Sequence, residues 1–272
     1  MKGKEMKRYS ILLCLVGIIG LASSAVAQAP QSPAYPFQLS LVSPVAILSD
    51  SSSVNGLRIN LIYGANENVT GVDLGIANQV NNDQKGLQLG IVNLVGGNVT
   101  GGQLGGINFV AGNVSGGTMS FINLIGGNVS GEQAGFINLT SGNLSGYDYG
   151  LLNMVGGDVE GLEVGAINLA GGDVAGGQAG IINVAGGAAD VQFGFVNLGC
   201  EDACWQTGAI NLVDTLDGAQ WIGVNIANEV KGLQLGVINY TVILDGLQIG
   251  VINIAWGKDS IWKVLPIVNA NW

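Results

Sequence analysis

The chain has 272 residues, of which 46 are Gly, 10% are charged and none is His. The lack of His removes the commonest general base and metal ligand, and with them any Ser/His/Asp or Cys/His catalytic set. A 48% hydrophobic content argues against disorder, the absence of a Gly-X-Y triplet argues against collagen, and a formal charge of −10 offers nucleic acid no basic footprint.

Residues 1–27 read as an export signal. Lys2, Lys4, Lys7 and Arg8 form a positive start, residues 11–21 are apolar, and Ala25-Val26-Ala27 is an A-x-A cleavage site. The apolar run is shorter than the roughly 20 residues that span a bilayer. Cys14 lies inside that run rather than at its end, which speaks against lipidation there. Loss of residues 1–27 leaves five basic residues against 18 acidic ones, a net charge of −13. Such a chain has little electrostatic attraction for anionic lipid.

Residues 28–36 carry Pro30, Pro33 and Pro36 and read as a Pro-rich linker. Alternation in Phe37-Gln38-Leu39-Ser40-Leu41 and in Leu57-Arg58-Ile59-Asn60-Leu61-Ile62-Tyr63 predicts cap strands within 37–64. The repeat array fills 65–260. Its string Gly86-Leu87-Gln88-Leu89-Gly90-Ile91-Val92-Asn93 returns nearly unchanged at Gly232-Leu233-Gln234-Leu235-Gly236-Val237-Ile238-Asn239. The closing residue recurs at one constant spacing from Asn78 through Asn93, Asn108, Asn123, Asn138, Asn153 and Asn168 to Asn183. From Asn183 through Asn197, Asn211, Asn225 and Asn239 to Asn253 the spacing is again constant, and one residue shorter. So short and fixed a period marks a repeat architecture.

The columns of the repeat carry the fold argument. Five residues before the marker stands Gln in most copies, with Thr118, Asp148 and Glu163 as exceptions. The residue before the marker is mostly β-branched and the one after is mostly large and apolar, as in Ile107-Asn108-Phe109. A Gly-Gly-Asn/Asp turn follows, since these residues tolerate positive φ. The pattern predicts a strand from Gln to the residue after Asn, and a short second strand through Val99 and its equivalents. Residues 261–272 break the pattern and read as a C-terminal cap.

The fold class expected is all-β, a parallel β-solenoid of about 13–14 short coils with atypical capping segments. Every turn looks alike, whereas barrels alternate short and long connections. Each coil is expected to bury its Ile and Leu pair together with the Asn between them. The alternative is an antiparallel outer-membrane β-barrel, because one repeat has the length of a membrane strand plus its turn and the chain ends in Trp272.

The polar candidates read as structure. Asn93, Asn108, Asn123, Asn138, Asn153, Asn168 and Asn183 form one ladder, and Gln88, Gln103, Gln133 and Gln178 another, each bonding to its counterpart one coil away. The turn column of Asn98, Asn113, Asn128, Asn143, Asp158 and Asp173 lacks the Gly-Gly-x-Gly-x-Asp pattern of Ca²⁺-binding repeats, so no metal, cofactor or catalytic residue is assigned. Cys200 and Cys204 are the disulfide candidate, placed where the Gly-Gly-Asn turn belongs. Glu160 and Glu163 read as isolated solvated carboxylates.

The Gly-x-Gln-x-Gly-x-x-Asn repeat, the Phe37-Gln38-Leu39-Ser40-Leu41 segment and Leu265-Pro266-Ile267-Val268-Asn269 together resemble a family of bacterial surface-repeat proteins. The resemblance covers roughly residues 37–272. It implies a cell-surface or outer-membrane setting and brings no known active site. The Cys200–Cys204 segment and the shorter repeats after it depart from the commonest form. The function expected is therefore an exported, non-enzymatic surface or envelope module with a structural or interaction role. Its partners would be an envelope or surface protein, a glycan, or the outer membrane. A pore-forming or scaffold barrel and a carbohydrate-binding rod are the alternatives.

Overall fold

A computed structural model describes residues 32–258 and 262–271. The expected export signal and Trp272 lie outside these residues. Every assigned element among the described residues is a β-strand. The strands pair mostly in parallel, with partners one repeat apart, as in Asn108↔Asn123 and Asn211↔Asn225. The chain is thus a β-solenoid of about 15 turns and not a barrel. It divides into two compact units at residues 151/152.

The N-terminal unit shows how one coil is built. Its long strand Val99–Leu104 turns at Gly105-Gly106 into the short strand Ile107–Val110, and Ala111-Gly112-Asn113 turns back. Side chains alternate, so Val99, Gln103, Asn108 and Val110 are buried while Thr100, Leu104, Ile107 and Phe109 face out. The strand expected to run unbroken from Gln to the residue after Asn is divided here by the Gly corner. Gly101 takes φ +123, and a Cβ there would lie 2.2 Å from the Gly86 carbonyl oxygen. That contact fixes Gly in this column, because coils stack too closely for a side chain. The unit opens with Ala34–Val42, which pairs in parallel with Ser53–Asn66 and antiparallel with Val45–Ala46.

The C-terminal unit follows the same plan through Val159–Val164 and Ile167–Ala170. Its period then shortens at one defined place. Val174 pairs with Ala189, but Gly177 pairs with Val191, so one residue is lost between them. The lost residue is the positive-φ glycine of the long strand, last seen as Gly176. The next coil but one regains it as Gly218, and its turn is shorter instead. Glycine and turn are thus interchangeable sources of slack, while the inward columns keep register. Val264–Asn271 ends the unit by pairing antiparallel with Gly246–Ala255.

The core differs from expectation in one respect. The Ile and Leu pair flanking each marker Asn is not buried with it. Alternation puts Asn inward and its two neighbours outward. Ile107 and Phe109 are each 39% exposed, while Asn108 is fully buried. Half of each coil's interior is therefore carboxamide, and only the half beside the turn is aliphatic, from Val99 and Val110 or their equivalents.

Candidate functional surface

The inward polar columns are closed to ligands. In the C-terminal unit, Asn153 Nδ2 donates to Asn168 Oδ1, and the chain of bonds continues to Asn253 at 2.7–2.9 Å. The second N–H of most of these amides reaches a backbone carbonyl 10 or 11 residues on, at 2.9–3.1 Å. The glutamines run the other way. Gln248 Nε2 donates to Gln234 Oε1, and so on back to Gln178, which donates to Glu163 Oε2 at 2.7 Å. Each of those glutamines also donates to the carbonyl six residues on. Both protons of these amides are used, which is what burial of a polar group demands.

The N-terminal unit holds the same Asn ladder from Asn60 to Asn138 at 2.8–3.1 Å. Its Gln column is less regular. Arg58 and Asp73, both fully buried, form a bidentate pair at 2.7 and 2.5 Å. Asp73 also accepts from Asn60 and Gln88, and Arg58 Nη1 donates to the Gln79 carbonyl. Gln103 donates to Gln88, but Gln133 turns to Thr140 Oγ1, because Thr118 interrupts the column between them. Thr118 Oγ1, Gln103 Oε1 and Gln133 Oε1 are left without partners.

Glu163 corrects the sequence reading. Glu160 is exposed, but Glu163 stands in the Gln column and is fully buried. Burial lifts its carboxyl from 4.5 to about 7, against the opposing hydrogen bond from Gln178. Its Oε1 has no hydrogen-bond partner.

The turn column is exposed, yet its oxygens are also engaged. Asp83 Oδ1 accepts the backbone N–H of Asn98, Asn98 Oδ1 that of Asn113, and Asn113 Oδ1 that of Asn128. Asp158 and Asp173 do the same for Asp173 and Ala188. Each side chain caps the next turn. Among the described residues no cluster of three or more His, Cys, Asp or Glu is placed to hold a metal ion.

Cys200 and Cys204 are both exposed and are not joined in this structure. Cys200-Glu201-Asp202 takes the place of a Gly-Gly-Asn turn without adding residues, so the coil geometry is kept. Partial burial and the nearby Asp190, Asp217 and Asp202 raise the Cys204 thiol above its usual range. A thiol held protonated in this way is a poor nucleophile at neutral pH. A shallow depression nearby, lined by Asp214, Thr215, Asn228, Glu229, Val242 and Ile243, is about 250 Å³ and open to solvent. It falls below the range of ligand-enclosing pockets.

What remains accessible is the outside of the coils, and it is sorted by chemistry. In the C-terminal unit every exposed or half-buried Asp, Glu or Lys from 152 to 258 lies three to seven residues past a marker Asn, at the turn and the start of the long strand. The corner and the short strand carry none. Exposed there instead are residues such as Ile181, Phe195, Val237 and Val251, at 54–66%. The N-terminal unit repeats this with Phe121 and Phe136, stacked at 4.6 Å. Sequence reasoning missed this surface because it placed the two residues flanking each marker Asn inside. The strict alternation of Asn with its neighbours was the available sign.

No protein-family model, curated protein or solved structure matches the chain.

Proposed function

We propose that this chain is an exported, non-catalytic repeat protein of the bacterial surface-repeat kind, with a structural or interaction role at the cell envelope. One observation carries the reading. The polar side chains that could do chemistry are spent holding the coils together, and the accessible surface is a regular apolar array bordered by a charged edge. Such a surface serves adhesion to something larger, and the depression beside Asp214 is too open to enclose a small molecule. The Lys2–Arg8 start and the Ala25-Val26-Ala27 site support export. Oxidation of Cys200 and Cys204 to a disulfide in the oxidising envelope belongs to the same reading.

Expression in a Gram-negative host followed by fractionation and N-terminal sequencing tests it. Recovery from the envelope with Gln28 as the first residue is expected. A chain retained in the cytoplasm with residues 1–27 intact would defeat the proposal. Intact mass with alkylation, before and after reduction, reads the cysteines.

A further inference from the structure

The short sheet of each unit turns outward a face with almost no polar group. In the C-terminal unit the residues on either side of each marker Asn, from Leu152 and Met154 to Ile252 and Ile254, are apolar in every coil, with the Tyr240 hydroxyl as the one polar atom. Eight coils at ~4.8 Å, each ~13 Å across, give a face on the order of 500 Å², at the upper end of what soluble monomers expose. The adjoining corner adds Ile181, Phe195, Val237 and Val251. Backbone groups within this face are taken by the coils before and after, as in Ile210↔Val224↔Ile238.

We propose that this face lies against the hydrocarbon of a lipid bilayer. The inference rests on the envelope reading above and names its partner. Three features favour hydrocarbon over a protein surface. A protein interface carries about one hydrogen bond per 100–200 Å², and this face can supply almost none. Its contacts repeat with every coil, so nothing would fix the register of a second copy, whereas fluid hydrocarbon has no register. Its backbone is already paired, which is the condition for contact with lipid.

The flanks agree with this placement. Trp205 and Trp221 stack at 5.3 Å on the outside of the long strand, between the apolar corner and the charged turn. Tyr147 and Tyr149 hold the same columns in the N-terminal unit. Amphipathic rings of this kind settle at the lipid–water boundary. The acidic turns border this face without entering it, so association is hydrophobic and owes nothing to anionic headgroups.

The test is flotation of the purified chain, from whichever fraction holds it, with neutral phosphatidylcholine vesicles. The wild type is expected to float equally at low and high salt, and no better with anionic lipid. The I182D/I210D/I238D variant is expected to lose at least tenfold in partitioning, while D173N/E201Q/E229Q keeps it. Circular dichroism checks that the variants fold. Quenching of wild-type Trp fluorescence by lipids brominated near the headgroup gives a second readout that needs no variant. A wild type that stays at the bottom unquenched, or floats only with anionic vesicles at low salt, overturns the proposal. So does a wild-type dimer in light scattering that the triple Asp variant splits, without any flotation; that result assigns the face to a second copy. None of these results bears on where the chain is delivered, which fractionation decides separately.

Discussion

Replacing Glu163 by Gln should stabilise the protein above neutral pH and leave it nearly unchanged in mild acid. The carboxyl is fully buried in a column otherwise filled mainly by carboxamides, and burial raises it from 4.5 to about 7. A group with a raised folded-state value binds its proton more tightly folded than unfolded. Its favourable contribution is therefore complete below about 4.5, and is lost as pH rises through about 7. The rise corresponds to about 3 kcal/mol. Gln removes the titration and keeps the shape of the column, accepting from Gln178 as Gln178 accepts from Gln192. Urea unfolding at pH 5 and pH 8.5 measures the effect. The wild type should lose about 3 kcal/mol more than the variant across that range, which is roughly 6–12 °C in melting temperature. The two proteins differ only at position 163, so the difference between their losses isolates this carboxyl. Equal losses in both would show that Glu163 is solvated and that its place in the column has been misjudged.

Four further changes probe the stack. Arg58→Met leaves Asp73 as a buried charge with no cation and should cost about 3–5 kcal/mol, while R58M/D73Q should recover most of it; a double-mutant cycle reads the coupling. Gly101→Ala drives a Cβ into the Gly86 carbonyl at positive φ and should cost about 2 kcal/mol or more in thermal melts. Gly102→Ala, one residue on, meets the Leu87 side chain at 3.3 Å and the Gly117 carbonyl at an ordinary 3.8 Å, and should stay within about 0.5 kcal/mol. Thr118→Gln supplies the missing rung between Gln103 and Gln133, donating to the idle Gln103 Oε1 and offering an acceptor to Gln133 Nε2, and should raise stability by about 1–2 kcal/mol. A lower melting point for T118Q would mean that the column there has no room for a carboxamide.

Much of the architecture was legible. The even spacing of Asn93, Asn108 and Asn123 dictated identical coils, and identical coils dictated ladders, which is what the structure holds. What misled was the hydrophobic rule. Ile107, Asn108 and Phe109 cannot all face one side of a strand, and the expectation that apolar residues go inside assigned both parities to the core. The amides win because each finds its own copy at every rung, so their burial leaves few donors unmet. Glu163 was judged beside its sequence neighbour Glu160, although its column partner is Gln178, one full coil further on. Arg58 was legible in the same way, two rungs before Gln88. The glycine lost between Val174 and Val191 was visible only as a change of period. Where in the coil it went depends on the slack that the strand bulge and the turn share, which the sequence does not display.

The two ladders run in opposite senses. Asparagine amides donate toward the C-terminus, and glutamine amides toward the N-terminus. A stack cut between any two regular coils therefore shows a definite polarity. Its C-terminal edge offers asparagine donors and glutamine oxygens, and its N-terminal edge offers the complement. The next coil meets both needs at once, and only when Asn and Gln arrive in the correct order along the chain. The solenoid is thus polar along its length, and each coil presents the complement of what the coil after it needs. It ends at Val264–Asn271, where Leu265 gives Asn253 a carbonyl, and Gln248 Oε1 is left as an acceptor with nothing to receive.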